Sequence, residues 1–65
     1  PRTLQHAFNN PLTALMAEIQ LLQMDPTASP STLEAAERML SIATRLAEMT
    51  KQLGDLPEPT QPPGA

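Results

Sequence analysis

Six residues in the middle of the chain, Asp25-Pro26-Thr27-Ala28-Ser29-Pro30, restrict its fold more than any other stretch. A proline disfavours the α region for the residue before it, so a helix that reaches Asp25 has to stop. Pro30 suits the first turn of a new helix, where its missing N–H costs nothing. On both sides the chain is rich in good helix formers, with apolar residues at helical spacing. Two helices joined by so short a turn lie antiparallel as an αα-hairpin. The fold class expected is all-α, with a first helix over about residues 3–24, a turn over 25–30 and a second helix over about 31–53.

At roughly 100° per residue, Leu4, Phe8, Leu12, Leu15, Ile19 and Leu22 gather on one side of the first helix. Arg2, Thr3, Asn9, Asn10, Thr13 and Gln20 fall within roughly 60° of His6 on the other. The only histidine therefore points away from whatever the leucines pack against. Pro11 admits two readings. Inside a helix it removes one backbone donor and crowds the Ala7 carbonyl, which kinks the rod. Alternatively a helix starts there, with Asn9 or Asn10 as its N-cap. The leucine stripe argues for the kinked helix, because Leu4 and Phe8 already lie on the later apolar face.

The second helix has two equally good starts. Ser31-Thr32-Leu33-Glu34 fits a capping box, and Ser29 followed by Pro30 fits a cap with proline in the first helical position. Ala35, Met39, Ile42, Leu46, Met49 and Leu53 recur as a heptad seam. Ala36, Leu40, Ala43 and Ala47 widen it, as suits a helix that touches several neighbours. Glu34, Glu37, Arg38, Arg45 and Glu48 make the opposite face a solvated one. Gly54 is a natural stop. The domain expected covers residues 1–54, and residues 55–65, with four prolines, read as an extended, flexible linker or tail.

A 65-residue chain without cysteine cannot staple itself with disulfides or thiolate-bound zinc. Chains below about 70–80 residues usually need some such support. One histidine with no second ligand at metal spacing speaks against a metal site. The support left is oligomerisation. Two hairpins that pair their apolar faces close a four-helix bundle, so a homodimer is expected, with Leu12, Leu15, Ile19 and Leu22 meeting Met39, Ile42, Leu46 and Met49. The four methionines add packing tolerance. A net charge of −3, with four scattered basic residues, argues against nucleic acid as a partner. No apolar run reaches the length of a membrane span, no signal peptide is visible, and the cytoplasm is the expected location. The chain reads as a piece of a longer protein.

His6-Ala7-Phe8-Asn9-Asn10-Pro11-Leu12 resembles the H-box of bacterial sensor histidine kinases, which runs His, acidic, apolar, Arg or Asn, Asn or Thr, Pro, Leu. Elsewhere, over both helices, the likeness is one of apolar helical positions only. The resemblance implies a dimerisation and histidine-phosphotransfer domain. In that family the histidine takes the γ-phosphoryl group of ATP, held with Mg by a separate catalytic domain. It then passes the group to an aspartate on a response-regulator receiver. His6 would be the phosphoacceptor, Asn10 the residue linked to orienting water for receiver dephosphorylation, and Pro11 the point where the helix bends. ATP, Mg and their binding residues would belong to the parent chain, so this stretch would not be active alone. Physically, the nucleophile must be a neutral imidazole, and ordinary histidine is largely neutral at pH 7. Exposure lets two large partners approach in line.

Ala7 departs from the pattern, because the family's acidic residue acts there as general base or orienter. Glu18, the next carboxylate along the helix, lies about three turns away. Two other readings follow: a phosphotransfer relay with weak autokinase activity, and a non-catalytic dimerising scaffold. A self-sufficient monomeric phosphotransfer protein would need four helices in one chain. Asn9 serves as well as a plain solvated amide as in any role, and Phe8 reads as core packing.

Overall fold

The computed structural model describes residues 2–57, and the rest of the proline-rich tail predicted over 55–65 lies outside the described residues. Two α-helices, α1 (Leu4–Gln23) and α2 (Pro30–Thr50), form the hairpin, and a 3₁₀ turn, Lys51–Leu53, follows α2.

Helix α1 runs unbroken through Pro11, so the reading in which a helix begins at Asn9 or Asn10 falls. Its start is fixed by Thr3. The Thr3 side chain accepts from the His6 amide at 3.3 Å, and its carbonyl accepts from Ala7 at 3.0 Å. In the turn, Asp25 Oδ1 accepts from the Thr27 hydroxyl at 2.7 Å and the Thr27 amide at 2.8 Å. These two bonds, the hydroxyl's first, hold the Asp25 carboxyl below its usual range.

Of the two starts open to α2, the chain uses Ser29 with Pro30 at the first helical position. Ser29 Oγ accepts from the Thr32 amide at 3.1 Å. Pro30 has no N–H of its own to satisfy, so this cap saves one orphan donor that a start at Ser31 would have to place. Ser29→Ala should destabilise the domain by about 1 kcal/mol, the usual worth of such a cap. Ser31→Ala should cost much less. Chemical denaturation followed by circular dichroism checks both, and equal losses would mean that the start has shifted.

The helices meet along small residues. Ile19 of α1 packs on Ala36 and Ala43 of α2, and these three are the buried apolar residues among those described, with Met16, Leu22 and Leu40 half-buried around them. Thr50 extends the line and is buried too. Positions 36, 43 and 50 lie seven apart, so alanine and threonine face α1 and let the backbones come close. The adjacent line of larger residues points outward: Met39, Ile42, Leu46 and Met49 are all exposed, as are Phe8 and Leu15 of α1. The seam expected to meet a second copy is thus free of its own hairpin on α2. On α1 it is shared, because Ile19 is buried and Leu12 and Leu22 are half-buried within the hairpin.

Past the 3₁₀ turn, Gly54 adopts φ +49° and ψ −127°, a region closed to side chains by their own backbone rather than by neighbours, since nothing lies within 4 Å of where a Cβ would sit. This turn sends the chain back across the start of α1. The Leu4 amide donates to the Leu56 carbonyl at 2.7 Å, and Thr3 and Pro57 form an isolated antiparallel bridge. The first residues of the stretch expected to be a free linker are therefore tied down beside the N-cap of α1. Among the described residues, no helix is long and apolar enough to cross a membrane.

Candidate functional site

His6 occupies the third position of α1, with its side chain exposed and its amide held by the Thr3 cap. Asn10 follows four residues later, which puts it on the same face one turn along. It is exposed, as is Pro11 beside it. The three residues singled out from the sequence thus share one short, water-facing stretch. Pro11 has no N–H to give to the Ala7 carbonyl, so the turn bearing His6 lacks one of the backbone bonds that would stiffen it against the remainder of α1.

Around this stretch the chain is only partly packed. Phe8, expected in the core, is 49% exposed and lines an open apolar groove with Leu46, Met49 and Leu53. The groove continues past Pro11 and Leu12 to Leu15, and then along Met39 and Ile42. One uncovered apolar strip therefore runs from the neighbourhood of His6 toward the hairpin turn. Among the described residues no cluster of three or more His, Asp or Glu side chains converges as a metal site would require.

Asn9 differs from its expected place on the solvated stripe. It is half-buried, and its Oδ1 accepts from the hydroxyl of Thr50 at 2.9 Å. Residue-by-residue reading of α1 could not have found this, because the partner lies 41 positions away. The 36-43-50 spacing on α2 carried the available signal: a threonine that ends a line of alanines is buried and must find a partner for its hydroxyl. Leu56 offered no signal, because its contribution is a backbone carbonyl.

Fold and site together define a helical hairpin that leaves one apolar face uncovered and displays a nucleophilic side chain on its outside. The chain belongs to the family of the His Kinase A (phospho-acceptor) domain, whose family model matches residues 2–61. Domains of this family are dimerising parts of histidine kinases and work in two-component signalling. No curated protein and no solved structure matches the chain.

Proposed function

We propose that His6 is the phosphoacceptor of a sensor histidine kinase and that two copies of the hairpin pair along the Leu15, Met39, Ile42 and Leu46 strip into a four-helix bundle. One observation carries the reading. In a chain of this family, the single histidine faces water at the start of α1, with Asn10 one turn on and a proline beside it. An imidazole nitrogen attacks the γ-phosphorus of ATP, held with Mg by a separate catalytic domain in the cytoplasm. The N–P bond forms, the bond to the ADP oxygen breaks, and the ring gives up its N–H proton. A receiver aspartate then attacks the same phosphorus, the N–P bond breaks, and the imidazole takes a proton back. Asn10, exposed one turn on, holds a water for hydrolysis of the receiver's acyl phosphate. Pro11 lets the His6 turn bend toward one partner or the other.

The full-length protein, given Mg and ATP with a radiolabelled γ-phosphate, should acquire acid-labile, alkali-stable label. His6→Gln should remove it entirely. Label that survives in His6→Gln would overturn the assignment. Ala7 favours a second reading in which the domain relays phosphate with little autokinase activity of its own. In that case His6 would take label from a phosphorylated receiver faster than from ATP.

A further inference from the structure

The contact between Asn9 and Thr50 has the geometry of a latch on the turn that bears His6. Thr50 is the last residue of α2, 8% exposed, and the one buried polar residue among those described. Its hydroxyl lies 2.9 Å from Asn9 Oδ1 and 2.7 Å from the Ala47 carbonyl. One proton serves one acceptor at a time. When it lies toward Ala47, rotation of the Asn9 amide brings an N–H onto the Thr50 oxygen, so the contact persists in either setting. If the helices part, Thr50 keeps the Ala47 carbonyl and the Asn9 amide is hydrated. Opening then strands no buried polar group, which is the costly outcome. The latch is cheap to release.

Its location gives it a use. Ile19, Ala36 and Ala43 clamp the helices on the far side of Pro11. Pro11 removes one of the backbone bonds that couple the His6 turn to that clamp. On the near side, Asn9 with Thr50 and the Leu4 amide with the Leu56 carbonyl tie the start of α1 to the far end of the hairpin, beside the Thr3–Pro57 bridge. The first is made by side chains, and it sits one turn beyond His6.

We infer that Asn9 and Thr50 are positioning residues: their hydrogen bond sets the rotation of the His6 turn against α2, and its release lets the same imidazole face a second partner. The catalytic meaning rests on His6 being the phosphoacceptor; the mechanical part does not. Thr50→Val keeps the shape and removes the hydroxyl, whereas Thr50→Ser keeps the hydroxyl. In the full-length protein, hydrogen exchange at the amides of residues 7–10 should accelerate about tenfold in Thr50→Val, the scale of one lost hydrogen bond. Exchange around Ala36 and Ala43 should stay as in the unaltered protein, and Thr50→Ser should exchange like it. Phosphorylation of His6 from ATP should fall about tenfold in kcat in Thr50→Val, with KM for ATP unchanged and Thr50→Ser restored. Unchanged exchange at 7–10, or acceleration spread over both helices, would overturn the latch. Local acceleration with an unchanged phosphorylation rate would overturn the positioning role. Absence of label in the unaltered protein would overturn the phosphoacceptor reading instead, and the exchange data would still decide the latch.

Discussion

Ile42→Glu should convert the protein from dimer to monomer at micromolar concentration. Ile42 is 58% exposed in the single hairpin, beside Leu15, Met39 and Leu46. A glutamate there can reach water as long as the hairpin stays alone, so the substitution costs the isolated fold little. In the proposed bundle the same position is enclosed by a second copy, and each dimer would bury two carboxylates without a partner. Burying an unpaired charge costs several kcal/mol even after relaxation, and about 1.4 kcal/mol is a factor of ten in affinity. The dimer should therefore weaken by about a thousandfold or more, read as a single monomeric species in sedimentation over a dilution series. Stability should fall with it. The interior of one hairpin amounts to Ile19, Ala36 and Ala43 with a half-buried fringe, which offsets the ordering of two helices by a small margin at most. In the proposed bundle, association would thus carry much of the folding free energy, and melting of the unaltered protein should depend on its concentration. In Ile42→Glu that dependence should vanish and the helical signal should be lost at lower temperature. Glu37→Gln, on the solvated face, should change neither. A dimer that survives Ile42→Glu would remove this strip as the interface.

The helices and the break between them were legible because their causes are local. A proline before a cap, a run of good helix formers and an apolar repeat each act within a few residues, so Pro30, Ser29 and the Leu15 to Leu22 stripe speak for themselves. Exposure of His6 followed from the same periodicity. What periodicity could not reveal is which of two neighbouring lines on α2 faces α1. Bulk draws the eye to Met39, Ile42, Leu46 and Met49, yet a tight hairpin packs on Ala36, Ala43 and Thr50, and leaves the long side chains exposed. Contacts between distant positions were out of reach for another reason. The partner of Asn9 lies at the far end of α2, and the Leu4 bond to Leu56 involves backbone alone, in a proline-rich stretch whose composition reads as a linker. Both concern the turn that carries His6, where the fold departs most from what local rules supply.

Ala7→Glu should raise the rate of His6 phosphorylation from ATP by about 10²-fold, the lower end of what a positioned general base contributes. When an imidazole nitrogen bonds to phosphorus, the ring must lose its N–H proton, and a carboxylate beside it can accept the proton or orient the ring. This chain offers none between Arg2 and Glu18, and alanine does neither. The substitution is well tolerated where it falls. Ala7 is half-buried in the second turn of α1, a long side chain can extend to water from there, and an acidic group near a helix start interacts favourably with the macrodipole. The gain should appear in kcat with KM for ATP little changed, because the new group acts on the acceptor and not on the nucleotide. Ala7→Gln separates proton transfer from mere polarity: it can orient the ring but cannot take a proton, so it should recover only a small part of the increase. Transfer from phosphorylated His6 to a receiver should be nearly the same in all three proteins, since that step returns a proton to the imidazole and draws on the receiver's own aspartate. Unchanged autophosphorylation in Ala7→Glu would mean that the base comes from the ATP-binding domain, and that Ala7 marks no loss of kinase activity at all.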